Sequence, residues 1–387
     1  MPKGLFNARS GFDHTLVLAA VALVCVSIVM VTSSSLAISD QRMSHAFYFT
    51  LRHVAYVMIG MMAALFTLRV PMRTWQRLSV PLFLGSVILL MLVLVPGVGR
   101  QVNGSMRWIG AGPITIQVSE LAKVGMVLFL ARFLERREQE VKTDFIEFVK
   151  PLFVLGLVAF LLLLEPDFGA AVVISGTVMG MLFLGGVKIR QFALLSALML
   201  VALSVLAISS PYRVMRLTSF LNPWADQFNS GYQLTQALIA FGRGEWFGVG
   251  LGNSVQKLLY LPEAHTDFLL AVIAEELGLV GILVLFGLYV VLIGRILFIG
   301  KRAQLLKRRF HAFVAYGIGL WLAGQAIINI GVNAGVLPTK GLTLPLLSYG
   351  GSSIVVAFVA LAMVLRIDRE TRAVVLKNPG SHPRLRP

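Results

Sequence analysis

The densest group of acidic residues lies in the strings Leu261-Pro-Glu-Ala-His-Thr-Asp-Phe and Ala274-Glu-Glu-Leu-Gly. Within it, Asp267 stands where a polar segment meets a long apolar run. An Asp at such a boundary can be an ordinary helix N-cap that offsets the helix dipole. It can also be a general base, because partial desolvation raises a carboxyl pKa towards the range that proton abstraction needs. The residues alone leave both roles open, and His265, Thr266 and Glu263 are the polar neighbours that would meet a substrate.

Three cations near other polar strings are candidates for binding an anionic substrate. Arg107 lies in Asn103-Gly-Ser-Met-Arg-Trp-Ile-Gly, and Lys123 ends the string Gln117-Val-Ser-Glu-Leu-Ala-Lys. A guanidinium beside an ammonium can clamp a phosphate. Alternatively, Lys123 pairs with Glu120, which lies three residues before it on the same helical face.

A polar stripe leads to the third cation. Gln325, Asn329 and Asn333 recur every four residues and point along one helix face towards Leu337-Pro-Thr-Lys340-Gly. Such a stripe can simply hydrogen-bond neighbouring helices. The string that follows, Leu344-Pro-Leu-Leu-Ser348-Tyr-Gly-Gly-Ser-Ser, is typical of a broken helix that lines a cavity.

Other acids have structural and functional interpretations of equal standing. Glu275 lies about 80° around a helix from Asp267, whereas Glu276 is nearly opposite, so we expect Glu275 to point inwards. A structural buried pair is the alternative. Glu165 and Asp167 flank a Pro in a tight turn, and one interpretation of them is simply an interface cap.

Several other kinds of site are not indicated. The six His are scattered without a helical HxxxH spacing, so no metal site is predicted from the protein alone. GxGxxG and P-loop motifs are absent from the sequence. The single cysteine, Cys25, lies in an apolar run and excludes an intramolecular disulfide.

The elements that must position these residues are transmembrane helices. Of 387 residues, 57% are hydrophobic and 13% are charged, against about 25% charged in soluble domains. Apolar runs of at least about 18 residues predict bilayer spans. The sequence therefore predicts an all-α, polytopic helical bundle. Its ten expected spans are about 14–38, 51–70, 78–96, 117–134, 150–165, 168–187, 191–209, 267–294, 312–336 and 343–365.

The distribution of basic residues predicts the orientation. With both termini in the cytoplasm, 24 of the 34 Lys and Arg lie inside, and the net charge of +16 needs no nucleic acid. We expect a cytoplasmic tail at 1–13, a membrane domain at 14–366 and a disordered basic tail at 367–387. The long outer loop 210–266 should contain structure of its own, including a surface helix at 232–241.

The acidic strings, together with Leu347-Ser-Tyr-Gly-Gly-Ser-Ser, Asn103 to Gly110 and Glu165-Pro-Asp-Phe-Gly, resemble the SEDS family (shape, elongation, division and sporulation). The resemblance covers residues 14 to 366. The strings from Gly252 to Ala264 and from Leu337 to Pro345 are similar to division-type rather than elongation-type members. The family often has Pro where this chain has Val118, and Gln where it has Glu165.

The resemblance implies an enzyme of the cytoplasmic membrane that polymerises lipid II into glycan strands at the division septum and releases undecaprenyl pyrophosphate. The family's presumed catalytic acid falls on Asp267, which would deprotonate the acceptor GlcNAc 4-hydroxyl as it attacks the donor MurNAc C1. Arg107, Lys123 and Lys340 would then face the pyrophosphate, with Glu263, His265, Thr266 and Ser348 as further substrate contacts. Glu120, Asp167, Glu275, Asn329 and Asn333 would form the supporting polar network.

The resemblance also implies partners: a class B penicillin-binding transpeptidase, other septal proteins and membrane lipid. No tightly bound cofactor is expected, although a divalent ion, Mg or Mn, can accompany the pyrophosphate. Three alternatives stay open: an elongation-type polymerase, a lipid II flippase and a non-catalytic scaffold. The outward clustering of acids and bases favours an enzyme.

Overall fold

The computed structural model describes residues 12–102, 105–110, 115–208 and 211–377. These residues form twelve α-helices, a short 3-10 helix at Pro223–Asp226 and three short strands. The helices are α1 His14–Met43, α2 Tyr48–Arg69, α3 Met72–Val93, α4 Val118–Thr143, α5 Phe145–Leu164, α6 Phe168–Leu184, α7 Ile189–Ile208, α8 Pro211–Leu221, α9 Tyr232–Gly244, α10 Leu269–Leu305, α11 Arg309–Asn333 and α12 Gly351–Lys377. The expected outer loop thus contains α8, the 3-10 helix and α9.

The chain is a multi-pass, helical membrane protein. By length and composition, seven helices in the described part of the chain can cross a bilayer: α1, α2, α3, α5, α10, α11 and α12. The apolar helix α6 and the apolar first part of α7 are shorter. α4 is long, but charged residues fill its second half from Arg132 onwards.

Several helices extend beyond the apolar runs that predicted them. α3 begins at Met72 and accommodates Pro81, and α10 continues to Leu305 rather than ending near 294. An apolar run marks only the lipid-facing part of a helix, whereas the backbone hydrogen bonds continue into the polar region. The last helix begins at Gly351, because 343–350 forms a turn and irregular structure.

A small sheet adds to the predicted all-α fold. β1 Gly99–Val102, β2 Ser105–Ile109 and β3 Ile116–Gln117 pair antiparallel in the order β1-β2-β3. Strands of two to five residues have too little alternation to be recognised from sequence. We refer to the end of the bundle with this sheet and the segment 211–268 as the sheet end.

The core is centred on α11, which packs against α4, α6, α9, α10 and α12. Gly317 allows the closest approach: a Cβ there would lie 2.6 Å from Val127 Cγ1 and 2.7 Å from Met181 Sδ. α11 therefore contacts α4 and α6 with almost no space between them, and its polar face can reach several elements at once.

The prediction of a disordered tail was wrong for 367–377, which continues α12. Asp368 accepts a bond from Arg372 at 2.7 Å and lies 3.8 Å from Arg302 of α10. Glu370 accepts bonds from Arg366 and contacts His311 of α11 at 2.9 Å. These ion pairs attach the helix to the bundle, and pairing of this kind is not visible in the net charge of the tail. Residues 378–387 and 1–11 lie outside the described residues.

Candidate active site

Asp267 is held through its backbone at the start of α10. Asn329 Nδ2 and Asn333 Nδ2 each donate to the Asp267 carbonyl oxygen at 2.9 Å. Asn333 also accepts a bond from the Ala271 amide at 3.2 Å. Asp267 as a whole residue is half-buried, so the protein holds it without fully enclosing it.

The turn before Asp267 organises the three predicted neighbours. Glu263 has a φ of 57° and its carbonyl accepts bonds from the amides of Thr266 and Phe268. Thr266 Oγ1 donates to Glu263 Oε2 at 2.8 Å. The His265 carbonyl accepts a bond from the Tyr349 amide at 3.0 Å. These contacts shape the turn and join it to the entry of α12.

The His265 ring is buried among aromatic side chains. Its centroid lies 4.8 Å from that of Phe49 and 5.5 Å from that of Tyr349. Burial lowers the pKa of His265 below its usual value, so the imidazole is neutral near pH 7. A neutral, enclosed ring is suited to shaping the site rather than to binding a phosphate.

Lys340 is brought to Asp267 by the loop between α11 and α12. A Cβ on Gly341 would lie 2.9 Å from Asp267 Oδ2, so the backbone next to Lys340 lies close to the carboxylate with no room for a side chain between them. Lys340 Nζ lies 4.3 Å from the centre of the Phe168 ring at the start of α6. A cation and the candidate base therefore share one small region.

Arg107 approaches the same place from β2. Its Nε donates to the Glu165 carbonyl at 3.2 Å, its Nη2 donates to the Pro166 carbonyl, and its Nη1 lies 4.0 Å from Asp167. Asp167 in turn accepts a bond from Ser119 at 2.9 Å and caps α6 through the Ala170 amide. With Lys340 against Phe168, two cations flank the N-terminus of α6, where an anion is favoured.

Lys123 lies deeper and is fully engaged. Its Nζ donates to Glu120 Oε1 and to Gln325 Oε1, both at 2.8 Å, and lies 5.1 Å from the Trp321 ring centre. The side chain is only 2% exposed. These contacts include the internal pair with Glu120 that the spacing gave as the alternative to a phosphate clamp with Arg107.

Ser348 also has a local role. Its Oγ accepts a bond from the Leu344 amide at 3.0 Å, and its own amide donates to the Leu344 carbonyl at 3.0 Å. The side chain is buried and closes the turn before α12. We therefore assign Ser348 to the support of the loop rather than to substrate contact.

Glu275 and Glu276 both point inwards, although the sequence favoured only Glu275. Both are 0% exposed. Glu275 accepts bonds from the amides of Val255 and Gln256 and pairs with Arg243 at 3.2 Å. Glu276 binds Lys257 Nζ at 2.7 Å.

Both acids are buried because α10 is covered on more than one side here: Glu276 accepts a bond from Ser33 of α1, whereas the segment after α9 covers Glu275. α10 breaks two residues after Glu276, at Gly278, where φ is 66°. The segment after α9 packs over the break, as the Val249 and Gly250 amides donate to the Glu275 and Glu276 carbonyls. Arg243 and Lys257, which neutralise them, were missed from the sequence because their partners are distant along the chain.

Glu165 is the other residue whose environment the sequence did not show. It is 0% exposed, and neither carboxyl oxygen has a hydrogen-bond partner among the described residues. Burial, with the Asp167 carboxylate nearby, raises the pKa of Glu165 to about 8 despite the opposing charge of Arg107. The group is therefore mostly protonated at pH 7.

Metal ligands are not clustered in the parts of the chain that the structure describes: no group of three or more His, Cys, Asp or Glu is placed to hold an ion there.

The chain is similar to known proteins over most of its length. The sequence model of the family described as "Cell cycle protein" (FtsW/RodA/SpoVE) matches residues 13–373. The chain is 56% identical over 370 residues to a probable peptidoglycan glycosyltransferase FtsW of Legionella pneumophila, covering 96% of this chain and 94% of the relative. It is 55% identical over 360 residues to the probable FtsW of Coxiella burnetii, covering 93% and 97%.

Solved structures show the same fold. One chain of a peptidoglycan synthase complex that coordinates polymerization and crosslinking has a TM-score of 0.77 at 31% identity, covering 93% of this chain and 98% of that chain. The rod shape determining protein RodA of Thermus thermophilus has a TM-score of 0.69 at 30% identity, covering 93% and 97%. These findings confirm the resemblance, and this chain belongs to the FtsW/RodA/SpoVE family of cell cycle proteins, the SEDS family.

Proposed function

We propose that this protein is a peptidoglycan glycosyltransferase that polymerises lipid II into β-1,4 glycan strands, as a division-type member of its family. One observation carries the proposal. The backbone-anchored, half-buried Asp267 lies close to the loop of Lys340, and Lys340 and Arg107 flank the same helix N-terminus. A base beside two phosphate-binding cations is what glycosyl transfer from a lipid pyrophosphate requires.

In the proposed reaction, Asp267 takes the proton of the acceptor GlcNAc 4-hydroxyl. The hydroxyl oxygen forms a bond to the donor MurNAc C1 while the bond from C1 to the phosphate oxygen breaks, with inversion. The electron pair leaves on undecaprenyl pyrophosphate, which needs positive charge rather than a proton, and Arg107 and Lys340 supply it. Half-burial of Asp267 favours this role because it limits water around the base.

We propose that any divalent ion at this site arrives with the pyrophosphate, since the described residues offer no cluster of ligands for it. In this proposal Asp267 supplies the base, and Arg107 and Lys340 supply positive charge beside any such ion.

For the membrane arrangement, we propose ten spans with α4, α6 and α7 added to the seven long apolar helices, and both termini in the cytoplasm. The sheet end then faces outwards, where lipid-linked glycan is polymerised. Support comes from the bias of 24 of the 34 Lys and Arg towards the opposite end. In a Cys25→Ser background, a single cysteine at exposed Trp246 should react with an impermeant maleimide from outside, and one at exposed Lys188 should not.

We propose that the protein works at the septum of the inner membrane with a class B penicillin-binding transpeptidase and other septal proteins. Support comes from its fold, which matches a chain of a peptidoglycan synthase complex, and from its identity to probable FtsW proteins. An elongation-type polymerase is the nearest competitor. It predicts that depletion of the protein in cells changes rod width rather than blocking septation.

The test of the activity is polymerisation of labelled lipid II by the purified protein with its cognate transpeptidase, comparing wild type with Asp267→Asn. The matched control is Asp40→Asn, an exposed acid at the end of α1. We expect polymer from the wild type and the control and none from Asp267→Asn. An unchanged yield of polymer from Asp267→Asn would exclude Asp267 as the general base. A lack of polymer in every sample, with lipid II transport that survives Asp267→Ala, would favour the flippase.

A further inference from the structure

The polar stripe of α11 does more than join helices. Gln325, Asn329 and Asn333 are at most 1% exposed and lie on one face of the helix. At 1.5 Å of rise per residue, the row extends about 12 Å from inside the bundle to the candidate base. Its amides contact the Asp267 carbonyl and two carbonyls of the loop that follows Lys340.

Asn329 and Asn333, the outer two residues of the row, both donate to the Asp267 carbonyl oxygen. Asn329 Nδ2 also donates to the Leu342 carbonyl, so its two N–H groups join the start of α10 to the Lys340 loop. An Asn amide nitrogen has two hydrogens, and both are used here. Asn333 Nδ2 contacts the Asn329 carbonyl at 2.9 Å, and Asn333 Oδ1 accepts from Ala271.

Gln325, the innermost residue of the row, holds the Lys340 loop at Thr343, one residue after the Leu342 that Asn329 binds. Gln325 Nε2 donates to the Thr343 carbonyl at 2.9 Å. Its Oε1 accepts bonds from Lys123 Nζ and from Trp321 Nε1 at 2.8 and 2.9 Å. The buried Lys123 thereby orients the Gln325 amide so that its nitrogen faces the loop.

The two segments that the row holds, the start of α10 and the Lys340 loop, approach each other at Gly341. The loop is held at Leu342 and Thr343, Asp267 is held at its carbonyl, and the Gly341 backbone lies close to the Asp267 carboxylate between them. Hydrogen bonds from these side chains to backbone carbonyls therefore help to fix the position of Asp267 relative to the Lys340 loop.

We propose that Asn329 and Asn333 are positioning residues that hold the Asp267 base at a fixed distance from the Lys340 loop. Gln325, oriented by Lys123, supports them from below. The proposal rests on the proposed function, because it presumes that Asp267 and Lys340 act in the reaction. Displacement of a reacting group by about 1 Å can lower a rate by about 100-fold, so the row should control the rate of the chemical step.

The test is the steady-state kinetics of lipid II polymerisation by Asn329→Asp and Asn329→Ala with the cognate transpeptidase. Asn329→Asp keeps the shape but turns an acceptor towards two carbonyl oxygens. We expect kcat to fall by about 100-fold and KM for lipid II to change less than about threefold. The matched control is Asn222→Asp, which introduces the same charge at an exposed residue without a side-chain cap bond. It should behave as the wild type.

Folding is followed by detergent gel filtration and thermal unfolding of each variant. Should the Asn329 variants not fold, Asn333→Ala removes one of two donors to Asp267 and should lower kcat by about 10-fold. A folded Asn329→Asp with kcat within twofold of the wild type overturns the proposal, and so does a raised KM with unchanged kcat. Misfolding of all three variants beside a folded control also overturns it, in favour of a purely structural role.

Asp267→Asn separates the two levels of inference. If Asp267→Asn is inactive while Asn329→Asp is normal, the positioning role fails and the proposed function stands. If Asp267→Asn polymerises lipid II normally, the proposed mechanism itself fails, whatever Asn329→Asp does.

Discussion

Replacement of Glu165 by Gln should change how the stability of the protein depends on pH. Glu165 is buried in the turn between α5 and α6, where Asp167 and Arg107 are its charged neighbours. Its carboxyl group has no hydrogen-bond partner among the described residues. Gln keeps the size of a protonated Glu but cannot ionise, and the family often has Gln at this position.

The magnitude follows from the pKa, which the fold raises from 4.5 to about 8. Between these two values the unfolded chain has released the proton while the folded chain still holds it. The free energy of unfolding therefore falls as the pH rises, by about 1.4 kcal/mol per pH unit. From pH 4.5 to pH 7 the wild type should lose about 3 kcal/mol as an upper limit, and Glu165→Gln should lose none of it.

The assay is thermal unfolding of detergent-solubilised protein from pH 5 to pH 9. The two proteins should have similar Tm values near pH 5. The advantage of Glu165→Gln should then grow to about 4 °C at pH 7 and stop growing above pH 8. The exposed Glu245→Gln serves as the control. Parallel Tm curves for wild type and Glu165→Gln would refute the reasoning, because they would mean that Glu165 is already ionised in the folded protein.

Three further changes test the packing of the site. Gly341→Ala places a methyl group 2.9 Å from Asp267 Oδ2, so polymerisation should fall by at least about 10-fold at unchanged Tm; full activity would show that the contact is absent. Gly278→Ala gives Ala a φ of 66° and brings its methyl group against the backbone of Gly248, so the free energy of unfolding should fall by about 1–3 kcal/mol and the Tm by several degrees. An unchanged Tm would contradict the break in α10. Lys257→Met leaves the buried Glu276 without its cation and should lower the free energy of unfolding by about 3–5 kcal/mol. The double variant Lys257→Met with Glu276→Gln should recover most of this loss, and equal Tm values for the single and double variants would contradict the ion pair.

The membrane class and the location of most helices could be predicted from the sequence. Hydrophobic runs report the thickness of the bilayer directly, because a lipid-exposed helix must be apolar along its length. For the same reason the charged second half of α4 and the short α6 gave weaker signals. The small sheet gave none, since its strands depend on packing against the helix ends.

The candidate base could also be found from the sequence, because Asp267 lies in a dense acidic string at the border of an apolar run. Most partners of the other polar residues could not be found in this way. The spacing offered Glu120 as a partner of Lys123, but it did not indicate the contact of Lys123 with Gln325 or that of Ser348 with Leu344.

The sequence by itself determined that the protein is a polytopic helical membrane protein with a carboxylate at a polar boundary. Only the tertiary structure decided which groups that carboxylate works with. Asn329 lies 62 residues from Asp267 along the chain, and Arg107 lies 58 from Glu165. Spacing within one helix determines which side chains share a face, but contacts between helices depend on how those faces pack, and the packing is set by the whole bundle.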